Sequence, residues 1–286
     1  MNLRHSFTTA LAAWPRQADV HRMPSKAGLQ SHLREKCDHT MPEAANSFSS
    51  QEGEEGLPLE EMAYRRLREA LVTGAILPGD RLSIRAVAAA FSVSAMPVRT
   101  ALRRLAAEQA LDLLPSGTAV VPRLTRAGFT ELSAIRARLE PLAVSLAAPH
   151  LGEGHWNTLA PLVAAHDAAR AAGDAAAAQA ADRDFLFGIY RAAQAPLLLG
   201  LIETLWLRRG PLFRSVRITV TAAGGLRHSH GAMLEALRGG KGDEAAELLR
   251  AEIEDATRAI LATVRFEGDD TAAERLAWIG KSGRQR

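Results

Sequence analysis

The side chains best suited to chemistry fall into two groups, well separated along the chain. Past residue 125, Arg136, Asp182, His230 and Glu254 supply a guanidinium, an imidazole and two carboxylates. Carboxylates and neutral imidazoles bind divalent ions, and a guanidinium presents a planar fork that matches a carboxylate. Arg136 stands four residues after Leu132 and three before Leu139, so it leans toward an apolar helical stripe. An arginine facing a helical core needs an anionic partner. Glu140, one turn on, is one such partner; the carboxylate of a bound small molecule is the other. The remaining three also have plainer readings. Asp182 is placed to cap a helix before Phe185, and His230 reads equally as a partly buried histidine. Glu254 lies four residues from both Arg250 and Arg258, the spacing of an exposed ion-pair row. His228 is two residues from His230, and such positions do not share a helix face, which makes it a weak substitute ligand.

The second group is Arg85, Ser94, Arg99, Arg103, Gly117 and Thr118. Ser83 is a good N-cap for a short helix predicted over Ile84–Phe91. Ser92-Val93-Ser94 breaks the chain, and Ser94 caps a second helix running to about Gln109. Pro97 falls in the first turn of that helix, where its missing N–H costs nothing. Val98, Leu102 and Leu105 form its inner face, and Arg99, Arg103 and Arg104 its outer one. Two short helices joined by a three-residue turn, the second basic, form a helix-turn-helix. A helix fits the major groove, where arginine bridges base edges or phosphates. Two β-like runs, Ala110–Leu114 and Thr118–Val121, flank Pro115-Ser116-Gly117 as a small hairpin, or wing. From Leu57 to Leu124 there are nine basic and six acidic residues, a net of +3, equal to the net charge of the whole chain.

These groups must be held by larger elements. A helix begins near Leu59, with Met62, Ala63, Leu67, Ala70 and Leu71 at helical spacing, and stops at Gly74 before the turn Pro78-Gly79-Asp80. Past Thr125 the pattern is helical throughout. Leu132, Ile135, Leu139, Leu142 and Leu146 alternate spacings of three and four, the stripe of a core-facing helix, which Pro141 should kink. The Ala-rich stretch Val163–Ala181 divides at Gly173-Asp174, and further helices are predicted over Asp182–Ala193, Pro196–Arg208, Leu226–Leu237 and Asp243–Val264. The fold class is therefore mainly α: an N-terminal winged helix-turn-helix over 57–124 and an all-α bundle of six or seven helices over 125–264. Residues 265–286 read as a tail. Residues 1–56 lack periodicity and read as a disordered extension or a misassigned start, with a linker crowded with Ser, Gly, Pro and Glu at its end.

Composition narrows the class. The chain has 286 residues, enough for two domains. Its single cysteine excludes an internal disulfide and a Cys-rich zinc site, and fits a reducing cytoplasm. The most apolar stretch, Ala192–Leu207, is interrupted by Gln194, Pro196 and Glu203 and falls short of a membrane span. The pI of about 9.4 permits nucleic-acid binding.

Residues 64–121 resemble the winged helix-turn-helix of the GntR family of bacterial regulators. The resemblance lies in LREALVTGAILPGDRL, SVSAMPVRTALRRLAAEQAL and LLPSGTAVV. It implies DNA contacts from Arg85, Ser94, Arg99, Gly117 and Thr118, with Arg103 near a phosphate. Ala95 and Met96 depart from the family pattern, which has Arg and Thr there, and this changes what the recognition helix can read. Residues 125–262 resemble the FCD effector domain of the FadR-like subfamily, through ELSAIRARLEPLAVSLAA, DRDF, AAQAPLLLGLIETLW, RHSHGAMLEAL and GDEAAELL. Such domains often bind a metal through one Asp and three His, and the metal helps hold a carboxylate. Asp182 and His230 match; Leu186 stands where one His is usual, and Glu254 aligns best with the last.

The expectation is a non-enzymatic, dimeric, cytoplasmic and nucleoid-associated regulator. It binds a double-stranded operator and responds to a small carboxylate through Arg136, Asp182 and His230. No cofactor is expected, with a divalent metal only at a degenerate site of Asp182, His230 and Glu254. Two alternatives stand beside it: a DNA-binding dimer whose bundle has lost sensing, and a helical metal hydrolase. The hydrolase is the poorer, because one imidazole and two carboxylates fall short of a usual catalytic zinc site.

Overall fold

The structure is a computed structural model; it describes residues 56–222 and 228–269, the side chains of 213–222 excepted. The expected extension over 1–56 lies outside the described residues, apart from Gly56. Helix α1, Leu59–Val72, carries Glu60 and Glu61 in its first turn, where they complement the helix dipole, and buries Ala63, Tyr64, Leu67, Leu71 and Val72. Gly74 follows at φ +68°, a left-handed conformation that suits glycine at the end of a helix.

Helix α2, Ile84–Phe91, is capped by the Ser83 side chain, which accepts from the Ala86 N–H at 3.1 Å. Ser92 sits in the left-handed region at φ 55° and turns the chain into α3, Ala95–Ala107. That helix buries Val98, Ala101, Leu102 and Leu105 against α1. Ser94 occupies the N-cap position of α3, but its side chain makes no capping bond.

The wing has one strand more than the two β-like runs. Strand β3, Ala119–Val120, pairs antiparallel with β2, Asp112–Leu113, and with β1, Arg81–Leu82, in the order β1-β3-β2. A two-residue strand shows no alternation, which is why β1 leaves no trace in the sequence pattern.

Beyond the wing the described residues form an all-helical bundle: α4 (Arg126–Ala147), a 3₁₀ turn (Ala148–His150), α5 (Glu153–Ala171), α6 (Ala175–Ala192), α7 (Pro196–Ala222), α8 (His230–Arg238) and α9 (Gly242–Thr263). Asp174 caps α6 by accepting from the N–H groups of Ala176 and Ala177. Asp182 therefore lies inside one continuous helix and caps nothing. Pro141 leaves the Ala137 carbonyl without its intrahelical donor, and Arg250 Nε on α9 approaches that oxygen at 3.4 Å.

The leucine stripe of α4 corrects the expectation. Leu132 is buried, but Ile135, Leu142 and Leu146 are 41%, 47% and 41% exposed. The face turned inward is Phe129, Leu132, Ser133, Arg136, Ala137, Glu140, Val144 and Ala147. Its small residues allow α9 to pack closely along α4. Packing also continues past Val264. Phe266 joins Phe129 and Ile260 in a small apolar cluster, and Arg126 bonds to Asp269, so the segment expected as tail begins packed.

The winged domain and the bundle meet through α1. Arg183 on α6 bonds Glu69 at 2.5 Å and Arg68 pairs with Glu203 on α7 at 3.0 Å. At Gly210 of α7, an added Cβ would lie 2.8 Å from both the Cα and the carbonyl oxygen of Val72, and closer still to the Leu71 oxygen. Only glycine lets the two backbones approach this closely. No helix among the described residues is long and apolar enough to cross a membrane.

Candidate nucleic-acid interface and ligand cavity

The cap at Ser83, the left-handed Ser92 and the wing turn place two arginine-bearing helices beside a β-tip. Arg85, Ser94, Arg99 and Arg103 are exposed. Gly117 and Thr118 line a groove together with Ser83, Ile84 and Arg85, so the start of α2 and the tip of the wing form one concave surface. Gly117 holds φ +79° in that tip. Arg99 and Arg103, four residues apart, share a face of α3. Arg104, grouped with them from the sequence, faces α1 instead. Its guanidinium lies 3.6 Å from the centre of the Tyr64 ring and bonds Glu61 at 2.9 Å.

The second site is a cavity within the bundle, lined by Arg136 from α4, Asp182 and Leu186 from α6, Arg209 from α7, His228, and Glu252 from α9. Arg136 gives Nε to Glu140 Oε1 at 2.6 Å and Nη2 to Oε2 at 3.2 Å. The fully buried Glu140 also accepts from the Tyr190 hydroxyl at 2.8 Å and Trp206 Nε1 at 3.1 Å. Glu140 is therefore the partner that Arg136 required, while the guanidinium still borders the cavity. Arg209, 6% exposed, lies with its guanidinium 4.3 Å from the centre of the Trp206 ring. Burial, then the neighbouring Arg136 charge, brings its pKa down to about 10.

Asp182 and His230 meet: His230 Nε2 is 3.1 Å from Asp182 Oδ1. Glu254 does not join them; it is exposed on α9. The carboxylate that does is Glu252, whose Oε1 lies 3.0 Å from His228 Nδ1 and 3.9 Å from His230 Nε2. Its other oxygen is fixed by the N–H and hydroxyl of Ser229 at 2.8 and 2.7 Å. The inserted Gly239-Gly240-Lys241-Gly242 obscured this two-residue register in the sequence. His228 precedes α8, so the rule that separates i and i+2 on a helix does not apply, and it reaches the cluster. His166 on α5 was not foreseen. Buried in an Ala-rich helix with no patterned neighbour, it packs its ring 4.5 Å from that of His230 and 4.7 Å from that of His228, backing both.

Electrostatics inside the cluster favour charge on the carboxylates. Burial alone would raise Asp182, but the close approach and attraction of His230, with the charges of Arg209 and His228, hold it well below the usual carboxylate range. Burial likewise opposes ionisation of Glu252, and His228 and His230 outweigh it. Burial would lower His230, yet Asp182 and then Glu252 raise it above its ordinary value. His166 is lowered, first by burial and then by the two neighbouring imidazoles.

The cluster fits a cation. One ligand atom from each of Asp182, His228, His230 and Glu252 lies within 4.8 Å of the others. Ligands about 2.0–2.6 Å from one ion stand at most about 4–5 Å apart. Both ring nitrogens of the buried His230 lack a hydrogen bond of proper geometry, despite the short approach to Asp182. Nε2 is the one that faces the two carboxylates, and in the neutral imidazole its lone pair can join them on a cation.

Residues 131–255 match the FCD domain, and residues 59–121 match the bacterial regulatory proteins of the gntR family. The chain is 34% identical over 145 residues to the HTH-type transcriptional regulator McbR of Escherichia coli (strain K12), an alignment spanning 51% of this chain and 66% of that protein. The solved structure of E. coli McbR/YncC superposes with a TM-score of 0.66 at 31% identity, covering 72% of this chain and 98% of that one. A GntR regulator from Rhodococcus sp. RHA1 superposes with a TM-score of 0.59 at 25% identity, covering 72% and 99%. The two matched segments coincide with the arginine-bearing winged surface and with the cavity-bearing bundle: the chain belongs to the GntR family of transcriptional regulators, with an FCD effector-binding domain.

Proposed function

We propose that the protein is a dimeric operator-binding regulator whose DNA affinity is set by a small carboxylate held in the bundle cavity. The observation that carries this is the cavity itself, where Arg136 and Arg209 stand beside the ligand atoms of Asp182, His228, His230 and Glu252. Two buried guanidiniums beside a cation site give the cavity the positive charge to hold an anion. Arg136 is bidentate to Glu140, and its charge and that of Arg209, both on the cavity wall, favour a carboxylate between them. A divalent cation held by the four residues would supply a Lewis-acid anchor for one carboxylate oxygen. Two imidazoles with two carboxylates form a harder and weaker donor set than three imidazoles with one carboxylate. On the DNA side, Arg99 and Arg85 read base edges and backbone, Arg103 meets a phosphate, and Ser94, Gly117 and Thr118 complete the contact surface. A dimer places two winged domains on two half-sites, and the exposed apolar face of α4 offers a surface for that pairing. The regulators that the chain resembles support the reading of a sensor rather than a hydrolase.

The test is an anisotropy titration of duplexes from the gene's own upstream region, with and without carboxylic acids that raise the melting temperature. Arg99→Ala should weaken DNA binding without unfolding the domain, since alanine is the better helix former. Arg209→Ala should abolish both the ligand-induced stabilisation and the ligand's effect on DNA affinity, leaving ligand-free DNA binding unchanged. If no carboxylate alters DNA affinity, the bundle serves pairing alone.

A further inference from the structure

α3 is the helix proposed to enter the groove, and the outer surface of its first turn is apolar. Met96 is 66% exposed, the most exposed large hydrophobic residue described between 57 and 124. Ala95 beside it is exposed too. Pro97 offers no N–H, Val98 is turned into the core, and the Thr100 hydroxyl is folded back onto the Met96 carbonyl at 3.3 Å. The first long hydrogen-bonding side chain on that surface is therefore Arg99, and Arg103 follows one turn later. A base edge covered by Ala95 and Met96 loses its water without gaining a hydrogen bond. A G·C pair presents a donor and two acceptors in the major groove and no methyl group, so it is penalised there. A pyrimidine C5-methyl group is not; it gains an apolar contact.

We propose that Ala95 and Met96 form an apolar reading patch for pyrimidine C5-methyl groups, and that thymine supplies them in each half-site. Met96 makes the contact through a long, flexible and polarisable side chain that can follow the methyl. Ala95 keeps the helix close enough to the base edges for it to reach. The arginines one and two turns on hold the helix in the groove through phosphates and a neighbouring base. The inference rests on the DNA-reading role proposed for α3 and adds the base class that its first turn selects.

The experiment is binding-site selection by the full chain from random synthetic duplexes at fixed salt, followed by titration of the selected duplex. Selection should enrich thymine at a fixed position in each half-site. Replacing that thymine by deoxyuridine removes only the methyl group and should weaken binding about fourfold per half-site. Met96→Ala should bind the thymine and uracil duplexes equally, with an unchanged melting temperature because the side chain is solvent-exposed. Arg99→Ala should weaken both duplexes while preserving the difference between them. Equal binding of thymine and uracil duplexes by the unaltered protein, or a difference that survives Met96→Ala, overturns the proposal. Tighter binding with 5-methylcytosine at that position than with thymine also overturns thymine as the source. Failure of the unaltered protein to bind any duplex overturns the DNA-reading role itself, a result distinct from binding without methyl discrimination.

Discussion

Glu140 is the residue on which the cavity depends most. It is fully buried and accepts from Arg136, Tyr190 and Trp206, three side chains contributed by three helices. Burial and Glu140 together hold the Tyr190 hydroxyl well above its usual pKa, so it remains a donor. Removing one partner of a buried ion pair leaves an uncompensated charge and typically costs about 3–5 kcal/mol. We expect Glu140→Ala to lower the unfolding free energy by roughly that amount, read from a urea titration. Tyr190→Phe removes one neutral donor to an acceptor that keeps its other partners, and we expect about 1 kcal/mol. A loss as small for Glu140→Ala as for Tyr190→Phe would show that Arg136 finds a second anion and that the network is not centred on Glu140.

At the scale of elements, α7 is the helix that packs on α1 of the winged domain and on α4, α6 and α9 of the bundle. Arg209 faces the cavity, Trp206 contacts Glu140, Glu203 pairs with Arg68, and Gly210 meets the end of α1. Neighbouring residues on one helix thus face the candidate effector and the DNA-binding domain. A shift of α7 on filling the cavity has a short mechanical route to α1, and through it to α3, which packs on α1. Gly210→Ala inserts a methyl where two backbones already touch. We expect it to lower stability by about 1–3 kcal/mol as α7 is forced away from α1. We also expect it to reduce the effect of the effector on DNA affinity more than it reduces effector binding. Calorimetry of effector binding beside DNA titrations separates the two; an unchanged melting temperature and unchanged coupling would count against α7 as the link.

For the whole molecule, the outward leucines of α4 carry the expectation of a dimer. A face bearing Ile135, Leu142 and Leu146 at 41–47% exposure is costly for an isolated domain, and a two-fold contact would cover it. Leu142→Glu leaves the core of the monomer untouched, because that side chain already faces outward. We expect this variant to sediment as a folded monomer and to bind a two-half-site operator much more weakly than the parent. Sedimentation velocity with circular dichroism checks both halves; an unshifted dimer would place the pairing surface elsewhere.

Local chemistry is what the sequence determined by itself. The bounds of α2, the turn at Ser92, the wing turn at Gly117 and the cap at Asp174 all follow from residues acting on their own backbone within a few positions. The helical character of the bundle and the placing of Arg136 on an inward face were legible for the same reason, since 3.6-residue periodicity is a local property. Tertiary structure decided whatever depends on a partner distant in the chain. α4 has two apolar faces, and only its fit to α9 selects the alanine-rich one for the core, which leaves the leucines outside. Glu252 rather than Glu254 reaches Asp182 and His230, because the rotation of α9 is set by packing and not by spacing. His166 and Arg209 enter the site from helices whose own patterns say nothing of it, and Gly210 matters only because α1 lies against it. A side chain's face can be read from its neighbours in sequence, but what that face meets is fixed by the close packing of the other helices.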